Sequence, residues 1–291
     1  AAFFLTAAPA LAYAEPDPPA ADPCPYRVNT PPAVDQSEVP KAGDPPAPIP
    51  VPATPLGGDL MGSCGIVAAP DMPPLPGDVS ADAWILADLD NGDIIAAKDP
   101  HGRHRPASII KVLIATQALR ELPINKRVTG TPEDAAAEGT RVGVDDGGVY
   151  TVNDLLHGLL MHSGNDAAVA LAGICGGEVE TFVGWMNQRA QDLGMTNTHF
   201  SDPNGLGDEN HYASALDMAK LGVACLQNPT VAEILSTRTI TLEGRQLTNH
   251  NKLLWQYEGC TGMKTGYTRQ AGRTLVSSAE RNGQTLVCVT L

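Results

Sequence analysis

Basic residues are scarce in this sequence. Its 291 residues include 19 Lys and Arg against 33 Asp and Glu, a formal net charge of −14 at pH 7. A nucleic-acid-binding surface needs clustered Lys and Arg to neutralise phosphates, and the chain contains no such basic stripe. Long apolar runs are also missing, since none reaches the roughly 20 residues that a transmembrane helix needs. We therefore expect no nucleic-acid partner, and we assign any membrane anchor to a segment outside these residues.

Proline is scarce after residue 77 and abundant before it, because 19 of the 25 prolines precede that position. The run PPAPIPVPATP favours extended backbone over helices or sheet interiors. We predict a Pro-rich extracellular arm or linker over residues 15–77 and a folded domain over residues 78–291. The arm contains two cysteines, Cys24 and Cys64, and we predict a disulfide between them because a segment without a core of its own needs such a link. We interpret the remaining cysteines as free buried thiols: Cys175, Cys225, Cys260 and Cys288.

The first residues indicate export. The apolar stretch AAFFLTAAPALAYAEPD ends in the small-x-small pattern Ala12-Tyr13-Ala14, which is typical of a signal-peptide cleavage site. An ordinary apolar N-terminus is the alternative, because the sequence does not include the charged segment with which a signal peptide begins. We interpret residues 1–14 as the remnant of a signal peptide and expect a protein outside the cytoplasmic membrane, in the cell envelope or periplasmic space.

Two hairpin signals flank a helical region. Asn91-Gly92 and Asn282-Gly283 each lie between two β-rich runs, and this dipeptide is the strongest short hairpin signal. Between them, apolar residues recur every three or four positions, and capping boxes such as Thr151-x-x-Asp154 predict helix starts. We predict an α/β (α+β) fold in which both chain ends build one antiparallel sheet, helices pack on it and a helical subdomain is inserted. The strand pattern still continues at Leu291, so we expect the natural protein to extend further.

The stretch PASIIKV carries the first candidate for chemistry. Ser108 and Lys111 are three residues apart at the start of a predicted helix, so both side chains lie on one face. The helix N-terminus favours negative charge developing at Ser108, and a neighbouring base makes a serine hydroxyl nucleophilic. Lys111 can be that base if burial or a nearby cation lowers its pKa. The alternative is a helix-capping Ser and a solvated Lys.

The run MHSGND breaks two apolar helical stretches with Ser163, Gly164 and Asn165. If this break faces Ser108, Ser163 can relay a proton, and the Asn165 amide can hold Lys111 and a substrate carbonyl. The alternative is a turn between helices with Ser163 as the N-cap.

The run GMKTGYT is the third candidate. Lys264 adds a positive charge that suits a carboxylate ligand and would lower the pKa of Lys111. Thr265 and Gly266 continue the motif, and a glycine on a strand lets the backbone approach a ligand closely. The alternative is an ordinary Lys-Thr-Gly turn at a sheet edge.

Together the three motifs resemble a known group of enzymes. Ser-x-x-Lys, Ser-Gly-Asn and Lys-Thr-Gly occur in this order, as they do in the penicillin-recognising serine acyltransferases. Within that group, residues 78–291 resemble the low-molecular-mass penicillin-binding proteins that are serine-type D-alanyl-D-alanine carboxypeptidases. The likeness extends to the blocks DPHGRHRPASIIKVL, LLHGLLMHSGNDAAVALA and MTNTHFSDPNGLGDENHYASALDMAKL. It implies a β-lactamase/transpeptidase-like fold, with residues 78–291 as a C-terminally truncated catalytic domain.

The resemblance also implies a role for each motif residue. Ser108 is the expected acylated nucleophile and Lys111 its base, and the expected second-motif residues are Ser163 and Asn165. Lys264, with Thr265 and Gly266, is expected to bind substrate. The implied oxyanion hole consists of the N–H groups of Ser108 and Tyr267. No metal or other cofactor is implied.

The implied function is removal of the terminal D-Ala from peptidoglycan stem peptides through an acyl-enzyme, with β-lactams as inhibitors. One alternative is a serine β-lactamase, which the sequence disfavours because no Glu-x-x-x-Asn element lies 30–40 residues after Ser163. The other is a non-catalytic penicillin-binding sensor or scaffold domain.

We set aside two histidine pairs, which lack a third metal ligand at suitable spacing, and the loop acids Asp208 and Glu209. The histidine pairs are His101 with His104 and His157 with His162.

Overall fold

The computed structural model describes residues 24–27, 29–34, 54–70, 72–242 and 244–291. The signal-peptide remnant predicted over residues 1–14 lies outside this range. The strands are β1 Ile66–Ala68, β2 Trp84–Asp88, β3 Ile94–Lys98, β4 Arg127–Thr129, β5 Val149–Thr151, β6 Thr239–Leu242, β7 Arg245–Thr248, β8 Cys260–Gly262, β9 Thr265–Thr268, β10 Gly272–Arg281 and β11 Gln284–Thr290. The α-helices are α1 Lys111–Glu121, α2 Pro132–Ala135, α3 Val152–Met161, α4 Asn165–Gly176, α5 Val179–Asp192, α6 Ala215–Leu226, α7 Pro229–Ser236 and α8 Leu253–Gln256.

One seven-stranded antiparallel sheet organises the fold. Its order is β1-β3-β2-β11-β10-β8, and β9 pairs with the same strand, β10, as β8 does. The last strand, β11, lies between β10 and the early strand β2, with Val289 opposite both Val276 and Ile85. These three side chains are buried, so their face of the sheet is covered. The predicted α+β fold, with one sheet built from both chain ends, is confirmed.

The predicted hairpins form where the sequence places them. β2 and β3 pair across the turn that contains Gly92, whose φ is 81°. Asn282 and Gly283 both have positive φ, 52° and 76°, between β10 and β11. Asn and Gly adopt this left-handed conformation more readily than other residues, and turns of this kind match the twist of the flanking strands.

Helix α1 lies at the centre of the molecule. It packs against α6, which covers strands β2 and β11, and on its other side against α3 and α4. Helix α3 begins with the predicted capping box, because Thr151 Oγ1 accepts the N–H of Asp154 and the Asp154 side chain accepts the N–H of Thr151. Since helices surround α1, its first residue, Lys111, is completely buried.

One strand of the main sheet precedes the predicted domain boundary at residue 78. Strand β1 belongs to the main sheet, where Val67 lies opposite Ala97 on β3. The apolar triplet Ile66–Ala68 precedes the next proline and can therefore form a ladder with β3. Part of the Pro-rich arm also packs on the domain, because the N–H of Arg103 donates to the carbonyl of Tyr26 at 2.8 Å.

In the structure a disulfide joins Cys24 to Cys64, whose Cα atoms are 5.3 Å apart. The other four cysteines are free thiols, of which Cys225 is buried and Cys175, Cys260 and Cys288 are half-buried.

Across the described ranges, no single helix is both long and apolar enough to cross a membrane. The adjoining α4 and α5 meet that criterion only as a pair bent by 88°.

Candidate active site

The nucleophile candidate lies in a tight turn that leads into α1. Residues 107–110 form a 3-10 turn, and Lys111 begins the helix itself. In 3-10 geometry, side chains three residues apart eclipse each other, which places the Lys111 amine 2.8 Å from Ser108 Oγ. Ser108 thus lies just before the helix rather than at its first position. Its neighbour Ala107 has a φ of 51°, a strained conformation for a residue with a side chain.

The break between α3 and α4 faces this pair. Lys111 Nζ is 3.4 Å from Ser163 Oγ and 3.2 Å from the Ser163 carbonyl oxygen. Ser163 has a φ of 66°, and the residue at the N-cap of α4 is Gly164. The alternative reading of Ser163 as an N-cap is therefore wrong. The left-handed backbone directs the serine toward Lys111 instead.

The side-chain amide of Asn165 joins Lys111 to a neighbouring loop. Its Oδ1 accepts a hydrogen bond from Lys111 Nζ at 2.5 Å, and its Nδ2 donates to the carbonyl of Glu138 at 2.5 Å. We expected the amide to hold both Lys111 and a substrate carbonyl. The contact with Lys111 is present and the Glu138 contact ties Asn165 to the loop over the site, while the contact with a substrate carbonyl stays a prediction.

The environment of Lys111 favours the neutral amine. Complete burial holds the pKa of Lys111 well below its ordinary value of 10.5, and the charge of Lys264 lowers this pKa further. The carboxylates of Asp202 and Asp166 oppose the shift with smaller effects. A neutral amine 2.8 Å from a serine hydroxyl can take its proton, which is the geometry of general-base activation of a nucleophile.

Strand β9 passes close to the nucleophile turn. A Cβ atom added at Gly266 would lie 3.0 Å from the backbone nitrogen of Ser108 and would collide with the hydroxyl of Thr274. Glycine is therefore required for this approach. Lys264, just before the strand, is buried and donates to the Thr265 carbonyl at 2.7 Å. Burial lowers the pKa of Lys264 to about 7.

The register of β9 shows which way the Tyr267 amide points. The N–H of Val276 donates to the carbonyl of Lys264, so these two residues form a hydrogen-bonded pair of the antiparallel ladder. Such pairs alternate with non-hydrogen-bonded pairs, and Tyr267, three residues further on, lies opposite Arg273 in a non-hydrogen-bonded pair. The Tyr267 N–H therefore points away from β10 and is not used in the pairing of β9 with that strand.

These elements surround an open cleft of ≈ 790 Å³. None of the described residues that line it is acidic, although the whole chain is strongly acidic. The lining residues include Ser108, Thr140, His162, Ser163, Asn249, His250, Asn251, Lys252, Trp255, Thr265, Gly266, Tyr267 and Arg273. A cleft with cationic and neutral walls suits an anionic ligand.

Some of these cleft residues were not predicted from the sequence. The centroids of the His162 and His250 imidazole rings lie 4.2 Å apart. Burial is the main cause that lowers the pKa of His250 to about 4, and the nearby His162 is the second cause. The guanidinium of Arg273 lies 6.0 Å from the ring of Tyr267, its cross-strand neighbour. No motif marks either pair, because each is brought together by the tertiary fold.

Asp166 was also missed, although it directly follows the Ser-Gly-Asn motif. It is fully buried, and its carboxylate accepts the N–H groups of three consecutive loop residues, Val142, Gly143 and Val144. The same loop brings Thr140 to the cleft, where its carbonyl accepts the N–H of Asn165 at 2.7 Å. Asp166 thus holds a wall of the cleft against α4.

We predict that Asp166→Ala lowers the free energy of unfolding by about 3 kcal/mol, because buried N–H groups left without an acceptor cost about 1–3 kcal/mol each. Urea unfolding of purified protein measures the change. Asp146→Ala, which removes an exposed carboxylate from the same loop, is the matched control and should unfold like the wild type. Equal stability of the Asp166 and Asp146 variants would contradict this account of the loop.

The residues that we set aside have structural partners. His101 contacts the Leu56 carbonyl, His104 contacts Asp99 at 2.8 Å, and His157 contacts the Asn153 carbonyl. His162 contacts the Thr248 carbonyl at 3.5 Å and also lines the cleft. Asp208 accepts the N–H of Asn210, and Glu209 accepts the N–H of Ala33, an arm residue. Asp208 and Glu209 are therefore each engaged in a local contact.

Comparison with known proteins yields a consistent set of matches. A family model described as D-alanyl-D-alanine carboxypeptidase (peptidase family S11) matches residues 67–291. D-alanyl-D-alanine carboxypeptidase DacB2 of Mycobacterium tuberculosis is 44% identical over 220 residues, 74% of this chain and 75% of that protein. DacF of Bacillus subtilis, with the same description, is 33% identical, and the match covers 72% of this chain but only 56% of that longer protein.

Solved structures agree. The crystal structure of a D-alanyl-D-alanine carboxypeptidase from M. tuberculosis matches with a TM-score of 0.73 and 40% identity, covering 77% of this chain and 86% of that one. Penicillin binding protein 5 from Haemophilus influenzae matches with a TM-score of 0.71 and 33% identity, covering 75% of this chain and 67% of that one.

Proposed function

Because the chain belongs to the D-alanyl-D-alanine carboxypeptidase family, and is therefore a hydrolase of the serine peptidase class, we propose that it removes the terminal D-Ala from peptidoglycan stem peptides through an acyl-enzyme on Ser108. Family membership confirms the resemblance inferred from the three motifs. The observation that carries the proposal is the fully buried Lys111 amine, 2.8 Å from Ser108 Oγ and with a strongly lowered pKa.

Acylation begins with proton transfer from Ser108 to neutral Lys111. Ser108 Oγ attacks the carbonyl carbon of the penultimate D-Ala, and the carbonyl oxygen gains the negative charge of a tetrahedral intermediate. The N–H groups of Ser108 and Tyr267 stabilise this oxyanion, and the close approach of Gly266 to the Ser108 nitrogen supports this assignment. The intermediate then collapses, the peptide C–N bond breaks and D-Ala leaves as its amine.

Ser163 carries the proton to the leaving amine. Its hydroxyl is 3.4 Å from Lys111 Nζ, so the proton taken from Ser108 can pass through it to the nitrogen. Lys264 and Thr265 receive the terminal carboxylate of the substrate, and the bound carboxylate favours the charged form of Lys264. Water then attacks the ester carbonyl while Lys111 accepts its proton. The C–O bond to Ser108 breaks, the proton passes from Lys111 to Ser108 Oγ, and the shortened peptide leaves with a new terminal carboxyl group.

The location follows from the substrate. Peptidoglycan is assembled outside the cytoplasmic membrane, so the protein acts there as an exported enzyme of the cell envelope. The apolar stretch that ends at Ala12-Tyr13-Ala14 supports export, and so does a disulfide, which persists in oxidising compartments. β-Lactams are expected inhibitors because they acylate the same serine.

Peptide hydrolysis with turnover tests the proposed function. Incubation with a peptide ending in D-Ala-D-Ala should release many molecules of D-Ala per molecule of protein, while a penicillin adduct should persist. Rapid penicillin hydrolysis without D-Ala release would instead indicate a β-lactamase. A single stable adduct without turnover of either compound would indicate a sensor or scaffold domain.

A further inference from the structure

We propose that part of the N-terminal arm positions the nucleophile turn for acylation, an inference that rests on the proposed function. We call residues 24–27 and 29–34 the arm segment. It contacts the chain on both sides of Ser108, namely the residues just before the turn and the loop behind it. Arg105 and Glu209 are the positioning residues through which the arm segment acts.

The first set of contacts fixes the residues that precede the turn. The N–H of Arg103 donates to the Tyr26 carbonyl at 2.8 Å, and the Tyr26 ring packs edge-on against His104 at 5.3 Å. Arg105, buried three residues before the nucleophile, donates from Nη2 to the Pro31 carbonyl at 3.1 Å. The arm segment thus lies along the backbone that leads into the turn.

The second set of contacts fixes the loop behind the nucleophile. The N–H of Ala33 donates to Glu209 Oε1 at 3.1 Å, and Arg105 Nη1 donates to the Glu209 carbonyl at 3.0 Å. The same loop supplies the Asn204 carbonyl, which accepts the hydroxyl of Ser108 at 3.3 Å. Glu209 therefore links the arm segment to the loop that orients the Ser108 hydroxyl.

The turn needs such support because its backbone is strained. Ala107 has a φ of 51°, and a residue with a side chain keeps such a conformation only where its surroundings determine it. Gly205, on the supporting loop, packs so closely on the Ala107 carbonyl that a Cβ atom would collide with it. Movement of this loop would therefore release the turn and displace Ser108.

The arm segment is itself anchored to the sheet. The Cys24–Cys64 disulfide and a 2.7 Å hydrogen bond from Arg27 to the Gly62 carbonyl join it to the residues just before β1, and β1 pairs with β3. Among the described residues that line the cleft, none belongs to the arm segment. Loss of the arm contacts should therefore change the rate of acylation and leave non-covalent binding of a ligand unchanged.

The disulfide provides the first test. In the full chain, Cys24→Ser/Cys64→Ser should lower the first-order acylation rate constant for benzylpenicillin about tenfold, because small displacements of a reacting group can cost up to 10²-fold. The dissociation constant of the non-covalent complex, obtained from the concentration dependence of the rate, should not change. Cys175→Ser, which removes a free thiol on α4, is the matched control and should behave like the wild type.

Glu209 provides a test that leaves the disulfide intact. Glu209→Ala removes the acceptor for Ala33 and should slow acylation severalfold, whereas Glu209→Gln keeps an acceptor oxygen and should restore most of the rate. Both variants should be measured well below their unfolding temperatures. The proposal is overturned if the acylation rate constant is unchanged in the disulfide variant and also in Glu209→Ala.

Hydrogen exchange separates this proposal from the proposed function. Backbone amides of residues 107–110 should exchange faster in Glu209→Ala and in the disulfide variant than in the wild type, with no ligand present. Failure of the wild type to form an adduct would refute the proposed function alone. Unchanged exchange in both variants would refute the positioning role, whether or not the wild type is acylated.

Discussion

Ser108→Ala is expected to abolish covalent attachment of β-lactams. Intact-mass spectrometry of the wild type after treatment with benzylpenicillin should show one adduct of the mass of the whole drug, because ring opening loses no atoms. The variant should show none. The Ser108 hydroxyl lies 2.8 Å from the buried Lys111 amine, closer than the hydroxyl of Ser163 at 3.4 Å, so we assign the attack to Ser108.

Ser163→Ala is the informative comparison, because Ser163 also lies beside Lys111. We expect its adduct to form more slowly but still to form, since Ser163 is assigned to proton transfer and not to attack. An adduct that persists in Ser108→Ala and disappears in Ser163→Ala would exchange the two roles. Circular dichroism of both variants should match that of the wild type, since each change removes only one hydroxyl.

Local patterns predicted much of the fold from the sequence. Asn-Gly dipeptides predicted both hairpins because their backbone preference is intrinsic, and the Thr151 capping box predicted the start of α3 because its hydrogen bonds are local. Strand β1 was missed because it is three residues long and lies next to proline-rich sequence. Only its pairing with β3 makes it a strand.

For the candidate site, the sequence likewise predicted the local motifs but not the contacts between distant segments. Three short motifs identified the residues around Lys111, since residue type and order carry that information. The side-chain directions were not predictable. The side-chain nitrogen of Asn165 donates to the Glu138 carbonyl, and the arm segment contacts Glu209. Such contacts depend on where distant segments meet in the folded chain, which spacing along the sequence does not reveal.

Replacement of Lys111 by arginine is expected to lower activity far more than replacement of Lys264 by arginine. Arg remains charged at every pH of interest and cannot act as a base. Lys111→Arg should therefore lower kcat/KM for D-Ala release by about 10²–10⁴-fold, the usual contribution of a general base. Lys264→Arg keeps a positive charge for the substrate carboxylate. Its kcat/KM at neutral pH should therefore fall by no more than about tenfold, on the order of one misplaced charge-assisted hydrogen bond.

The pH profile of kcat/KM sharpens this contrast, because it reports the ionisation of the free enzyme. At low pH Lys111 is protonated and cannot accept the proton of Ser108, so kcat/KM should rise with pH as this amine becomes neutral. Lys264 must be charged to attract the carboxylate, and its pKa is about 7, so kcat/KM should fall above that pH. In Lys264→Arg the guanidinium stays charged, and the alkaline decline near pH 7 should disappear while the acidic limb remains. Equal losses in the two arginine variants, or an unchanged alkaline limb in Lys264→Arg, would show that the two lysines do not divide base catalysis and carboxylate binding in this way.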